Sequence, residues 1–530
     1  MIWWVLLLPL LWFAAFRYRR RRMYELASRV PGVGELPLIG AAHKFIGSTE
    51  VSVDPVDLEM VMRTCMEKDD LHRFTRPLIG FGAIFAPVSI WRPRRKILQP
   101  AFKPKIVESF VPVFAEQSMK LARKLGEVGG RKVKLLPYIS SYTLDSTCET
   151  TLGVKINAQD NAMSPFLVEL GRVLQVVTER IFRLWLQPEW LFRCSPQYRQ
   201  QRASCELLHG FTDQVIMKKR EELKAQKSKS PKADRTIDLS DYDSKSFLEL
   251  LIQFSGREGG YSNEELREEI LTLIIGSTDS TASTIGYALD LLAKYPHVQD
   301  KVHEELDEVF GASERLLQKE DLMRLKYLDC VIKETLRLFP PAPFLIRKVE
   351  EEVTLPSGCV MPAGSGIIAC MWGTQRNPKY WGPDADAFDP DRFLPERAAL
   401  RHPCAFMAFS VGPRNCIGYQ YALTSIKSAL SSVLRFHRVR GRVEGGNTPH
   451  IRVKIDVMMK AVNGHELTLE RRSQRCPQQD QSSGPQNDQV FTVDPNYQPG
   501  RITNRLMDIA ESTLPGSRTE ADTYAAAKRT

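Results

Sequence analysis

The 530-residue chain has no C-x-x-C pair among its ten cysteines, so neither a zinc ribbon nor a disulfide scaffold is indicated and a reducing compartment is the simplest setting. It shows no internal repeat and no nucleic-acid-binding motif, which sets nucleic acid aside as a partner despite a formal charge of +10. A complete dinucleotide loop is also missing. Gly32-x-Gly34 lacks the third glycine and precedes no helix, which reads as a linker turn. With 43% hydrophobic and 26% charged residues, the chain has neither the composition of a disordered protein nor that of a polytopic membrane protein.

One stretch does lack charge altogether. Met1 to Phe16 holds three tryptophans and no ionisable side chain, and five arginines follow between Arg17 and Arg22. As a helix it would span about 24 Å, slightly short of a hydrocarbon core of about 30 Å, a deficit that snorkelling arginines can cover. Basic residues after the apolar run, rather than before it, predict a retained signal-anchor at 1–16 with the rest of the chain cytoplasmic. Residues 17–40 then form a basic, Pro/Gly-containing linker, and 473–530, rich in Gln, Ser, Pro, Asp and Asn, a disordered tail.

Between them, apolar residues recur at three- and four-residue steps over Trp91–Phe102, Lys105–Gly126, Leu136–Gly153, Ser164–Leu186 and Gln197–Lys229. Asp54–Lys68 also reads as a helix, with Val51-Ser-Val53 as one short strand. Ser262-Asn-Glu-Glu265 is a capping box that opens a helix to about Tyr295, and another runs from Arg324 to Leu338 before Pro340-Pro341. Short strands cluster after Phe344 and over Ile451–Leu469. The expected class is mainly α with small β-sheets (α+β).

The chemistry concentrates in Phe409-Ser-Val-Gly412-Pro-Arg414-Asn-Cys416-Ile-Gly418. Glycines on both sides of Cys416 let the backbone bend around its sulfur. Arg414 adds positive charge, and a helix beginning at Cys416 would aim its positive dipole end there. All three features favour a thiolate, as a metal ligand requires.

This loop resembles the haem-ligand segment F-x-x-G-x-R-x-C-x-G of the cytochrome P-450 superfamily. Further matches follow in the family's order. Glu334-Thr-Leu-Arg337 resembles its E-x-x-R, and Phe388-Asp-Pro-Asp-Arg392-Phe393 the segment whose arginine completes a buried triad with that pair. Trp91-x-x-x-Arg95 resembles the motif that holds a haem propionate, and Arg347 sits where the family often places another such arginine. Gly276-Ser277-Thr278-Asp279-Ser280-Thr281 matches the oxygen-activation segment A/G-G-x-D/E-T-T in part, with Ser277 in place of the second glycine and Ser280 in place of the first threonine.

The resemblance implies a P-450 fold behind an N-terminal membrane anchor helix, with the catalytic domain at 41–472. It implies haem b ligated by Cys416 and contacted by Trp91, Arg95, Arg347, Phe409, Arg414 and Gly418, and proton relay through Asp279, Ser280 and Thr281. Electrons would come from NADPH through NADPH-cytochrome reductase, with cytochrome b5 as an optional second donor, at the endoplasmic reticulum membrane. Arg92, Arg94, Lys96 and Lys427 would offer the reductase a basic face. The substrate would be a small apolar molecule.

The flanking sequence is most similar to the family-4 clan, insect members especially. The glutamate that many fatty-acid ω-hydroxylases of that clan bond to haem is Gly276 here, so non-covalent haem is expected. The region from Pro37 to Trp91 is shorter than the family usually has. A helix and a strand of the N-terminal sheet are expected to be missing, which keeps a defective variant open as an alternative, beside a reductase-independent isomerase on the same fold.

Overall fold

The computed structural model describes residues 54–161, 164–229, 246–255 and 261–472, with scattered helical positions between Leu11 and Arg21. Val51-Ser-Val53 and the tail from 473 lie outside the described residues, as does most of the expected anchor. Among the described residues no helix is long and apolar enough to cross a membrane.

Among the described residues, ten longer helices carry the architecture: α1 (Pro55–Thr64), α2 (Val88–Leu98), α3 (Val111–Gly126), α4 (Leu136–Thr147), α5 (Pro165–Phe182), α6 (Pro196–Lys229), α7 (Asn263–Lys294), α8 (Pro296–Phe310), α9 (Lys326–Leu338) and α10 (Tyr419–Phe436). Nine short strands accompany them among the same residues: β1 (Lys132–Lys134), β2 (Phe344–Lys348), β3 (Val353–Thr354), β4 (Val360–Met361), β5 (Gly366–Cys370), β6 (His437–Arg440), β7 (Val453–Asp456), β8 (Met458–Ala461) and β9 (Glu466–Arg471). All pairings are antiparallel: β1-β9-β6, β2-β5, β3-β4 and β7-β8.

Local chemistry sets most boundaries. The capping box of α7 forms in full, Ser262 Oγ accepting from the Glu265 amide and Glu265 from the Ser262 amide. Asp54 caps α1 through the Val56 amide at 2.9 Å. The expected helix over Lys105–Gly126 is instead two, Pro104–Ser109 and α3, because Pro112 has no amide to continue the first and is suited to open a second. The helix expected from Arg324 begins at Lys326 after a break at Leu325. α2 starts at Val88 and tightens into a 3₁₀ turn at Gln99–Phe102, where Pro100 falls.

α7 is the spine. Every residue from Thr281 to Ala293 is buried, and this half packs against α4, α9 and α10 in one continuous apolar cluster that also holds α3 and α8. Its first half is more polar and borders a cavity. Where a further N-terminal strand would pair with β2, the described residues hold only an isolated bridge between Lys68 and Arg347 and the Lys348 amide donating to the Glu67 carbonyl at 3.0 Å.

Candidate active site

A cavity of about 440 Å3 runs between α7, the Cys416 loop, β2 and the start of α2. Its walls are mostly apolar, with Leu273, Val177, Ile181, Leu345 and Ile346 among them. Eight residues of α7 face it, from Glu269 to Thr284, at the spacing of one helical face. Trp91, Arg95, Arg347, Phe409, Arg414, Cys416, Gly418, Ser280 and Thr281 all line it; Asp279 does not.

The Cys416 loop is held by backbone geometry. The Cys416 amide donates to the Phe409 carbonyl at 2.9 Å, closing the loop. Gly412 has φ of +76°, and a Cβ there would sit 2.5 Å from the Met62 carbonyl oxygen, so only glycine fits. Gly418 differs from expectation. Its φ of −91° is open to any residue, and its contribution is an amide hydrogen bond to the Cys416 sulfur. The helix α10 also starts later than expected, at Tyr419, with Gly418 as its cap, so Cys416 precedes the first turn instead of opening it. The sulfur is open to the cavity yet enclosed by protein. That enclosure raises the thiol pKa, opposed by the Gly418 amide and by Arg95.

Four cations converge beside it. Arg95 Nη1 and Nη2 donate to the Asn415 carbonyl and Oδ1, both at 2.8 Å, which fixes the residue next to Cys416. The Arg414 guanidinium lies 4.4 Å from the Trp91 ring centroid, and its Nη2 donates to the Ala86 carbonyl at 2.7 Å. Burial pushes Arg347 and Arg414 down to about 10, with Arg347 adding repulsion on Arg414. Lys68, which sequence reasoning missed, is driven well below its usual value by burial and then by Arg347 and Arg414. His72 lines the same wall and is pushed down to about 4, first by burial. Arg347 Nε, Arg414 Nε and Arg414 Nη1 are buried without a hydrogen-bond partner. Clustered, desolvated cations with orphaned donors are the environment an anionic group would relieve. A thiol and an anion-seeking wall on one apolar cavity fit an iron porphyrin, whose iron Cys416 would ligate and whose carboxylates the cations would hold. Lys68 left no motif in the sequence; the tertiary bridge to Arg347 is what brings it in.

The α7 hydroxyls are unevenly engaged. Ser280 Oγ donates to the Gly276 carbonyl at 2.7 Å, one turn back, and Ser277 Oγ to the Leu273 carbonyl at 2.6 Å while paired with Thr147 Oγ1 at 2.9 Å. Thr281 Oγ1 is buried with no partner. Asp279 is turned to Lys460 of β8 at 3.1 Å; burial raises its pKa and Lys460 opposes the rise. The expected acid–alcohol pair is thus not in contact, because the acid is held by a strand and the serine by its own helix.

Behind the cavity, Glu334, Arg337 and Arg392 form a fully buried network. Arg337 Nε and Nη2 donate to the two Glu334 oxygens at 2.6 and 2.7 Å, and Arg392 Nε lies 3.7 Å from Glu334 Oε1. Two of the four residues expected on a basic face are elsewhere. Arg94 is buried against Glu265, Glu268 and Glu269, and Lys427 is paired with Asp329 at 3.0 Å; Arg92 and Lys96 are exposed. A separate group, Glu59, His402 and Cys404, has its donor atoms within 4.8 Å of one another. Glu59 already holds Arg63 and His402 Nδ1 accepts the Cys404 amide, so this group is satisfied internally.

Comparison with known proteins shows the family. The family model for Cytochrome P450 matches residues 60–463. Cytochrome P450 4c3 of Drosophila melanogaster is 34% identical over 469 residues, covering 81% of this chain and 87% of that protein. Cytochrome P450 4V2 of Mus musculus is 35% identical over 447 residues, covering 84% and 82%. Among solved structures, the cytochrome P450DA heme domain superposes with a TM-score of 0.67 at 22% identity, over 79% of this chain and 87% of that one, a likeness of fold.

Proposed function

The chain belongs to the cytochrome P450 family as a family-4-like haem-thiolate monooxygenase, and from that premise we propose that it inserts one oxygen atom of O2 into a C–H bond of a small apolar molecule, such as a fatty acid, terpenoid or xenobiotic, with NADPH electrons delivered by a flavoprotein reductase. The observation that carries this is the shared cavity, in which the Cys416 sulfur and the hydroxyl face of α7 border the same apolar space. Haem bound there would supply the redox chemistry of oxygen activation. The protein's own residues do the rest. Cys416 would ligate its iron, while Trp91, Arg95, Arg347, Arg414 and Lys68 would hold the acidic edge of the cofactor. The apolar wall excludes water and orients the substrate. Thr281, with its free hydroxyl, and Ser280 place a proton donor over the reacting position, and Asp279 recharges them once released from Lys460. Gly276 borders the cavity with nothing within 4 Å of where a side chain would begin, which supports haem held without a covalent link to this helix.

Electron delivery by a reductase has the exposed Arg92 and Lys96 in its favour. Residence at the endoplasmic reticulum membrane, catalytic domain toward the cytosol, has two supports. One is the uncharged run at residues 1–16 followed by arginines. The other is a cluster of exposed apolar side chains, Phe182, Leu184, Trp185 and Trp190, at 63–70% exposure beside the cavity wall at Ile181. Purified full-length chain should consume NADPH with reductase and show the red-shifted carbonyl band of a reduced haem-thiolate. A reduced chain with no such band would reject the reading.

A further inference from the structure

The segment 80–87, between the short helix Arg76–Ile79 and α2, forms one wall of the cavity through Ala83, Ile84 and Phe85. It lies directly on α7. A Cβ at Gly80, where φ is +49°, would fall 1.7 Å from Glu268 Oε1, and one at Gly82 would fall 1.9 Å from Thr272 Oγ1. The backbone of the segment and of the α2 residue that follows it is tied at four points. The Phe81 carbonyl accepts from Arg94 Nη1 at 2.8 Å, and the Ala83 amide donates to Glu269 Oε2 at 3.2 Å. The Ala86 carbonyl accepts from Arg414, and the Val88 amide donates to Glu67 at 2.9 Å.

Two of the four ties converge on one side chain. Glu269 accepts from Ala83 directly, and its other oxygen accepts from Arg94 Nη1 at 2.9 Å, the same nitrogen that holds Phe81. Glu269 is wholly buried and, among the described residues, is the single carboxylate lining the cavity. Nothing in the proposed chemistry uses it. It stands about 16 Å along the helix from Ser280, too far to serve proton delivery.

We propose that Glu269 is a positioning residue that, through Ala83 and Arg94, latches the 80–87 segment closed over bound substrate, and so sets substrate affinity. The inference rests on the monooxygenase reading above. Its logic is energetic. Charge-assisted hydrogen bonds are the strong ones, and a wall segment held by one to the Glu269 carboxylate and one from the Arg94 guanidinium that Glu269 binds stays shut until they weaken. Burial pushes the Glu269 pKa up to about 7, with Arg94 and the Ala83 amide opposing and Glu268 assisting. Other charged or titratable groups around the junction are Glu265 on α7, Tyr261 beside Arg94, His209 of α6, whose ring bonds the Leu78 carbonyl, Arg76 over the Phe81 ring, and Lys68 and His72 against the Phe85 ring. Lowering the pH through 7 neutralises Glu269 while Arg94 stays charged, so the latch loosens on the acid side.

The test is Glu269→Gln in the haem-loaded full chain, assayed with reductase against an apolar probe such as lauric acid or a terpene that gives a binding spectrum. The variant should keep the thiolate carbonyl band. Its KM should rise about tenfold, equivalent to 1.4 kcal/mol, with a much smaller change in kcat. Wild-type KM should climb as pH falls from 8 to about 6, and the variant's should stay flat. Should Glu269→Gln fail to take up haem, Glu269→Asp reads the same KM, because it keeps the charge and shortens the reach to Ala83. An intact carbonyl band with wild-type KM and wild-type pH dependence would overturn the latch alone. Absence of the band in wild type would overturn the monooxygenase reading beneath it.

Discussion

Glu334→Ala tests how the structure behind the cavity is held. Glu334 and Arg337 are 0% exposed and Arg392 is 3% exposed. Removing the carboxylate leaves the Arg337 guanidinium in the interior without its counter-charge, which costs about 3–5 kcal/mol, while Arg392 keeps the Asp384 carboxylate. The Asp389 amide also loses its acceptor, now at 2.9 Å, for about 1 kcal/mol more. Together this is about a quarter or more of a typical folding stability of about 5–15 kcal/mol. The arginines cannot swing out to water to escape the cost. Arg337 is bound to the carbonyls of Gln375, Ala385 and Ala387 and stacked 4.7 Å from the Trp381 ring centroid, while Arg392 is bound to the carbonyls of Trp381 and Asp384. The assay is urea unfolding followed in parallel by circular dichroism and by haem absorbance, since a cofactor can break two-state behaviour. Glu59→Ala is the control, because it removes a pair with Arg63 in which Arg63 is 61% exposed, worth at most about 1 kcal/mol. A Glu334→Ala midpoint no lower than that of the control would refute the buried-network argument.

Cys416→Ala should abolish the red-shifted carbonyl band; its survival would mean another group ligates the iron. Thr281→Ala should divert reducing equivalents to peroxide at least as strongly as Ser280→Ala, since Ser280 is committed to Gly276 and Thr281 is not, and the double variant should lose about 10²–10⁴-fold in product rate. Unchanged coupling in the double variant would make this stretch purely structural. Lys460→Met removes the group that opposes the burial-raised pKa of Asp279, so the limb of the pH–rate profile that reports Asp279 should move to higher pH; a stationary limb would uncouple the two. Gly412→Ala should lower haem content and thermal stability, because a side chain there meets both a left-handed backbone, costing about 1–2 kcal/mol, and the Met62 carbonyl. Wild-type haem content in that variant would show that α1 can shift.

Local sequence determined what local physics controls. The capping box at Ser262–Glu265, the proline stop at Pro340, and the apolar period of α3 to α7 act within a few residues of themselves, so the helical class was legible, although the break at Pro112 was passed over by the apolar period on either side of it. So was the ten-residue loop around Cys416, because its loop glycines, arginine and cysteine lie within one stretch of chain. Tertiary structure decided where each charge ends up. Arg92, Arg94, Arg95 and Lys96 are near neighbours in sequence, yet helical rotation sends Arg94 into the Glu265–Glu269 carboxylates, Arg95 to Asn415 and the other two to solvent. Lys68 joins Arg347, Asp279 joins Lys460 and Gly412 meets Met62 only because distant segments are folded together. A charge or a glycine carries no record in its own neighbourhood of the partner it will meet hundreds of residues away, and packing of the core is what supplies that partner.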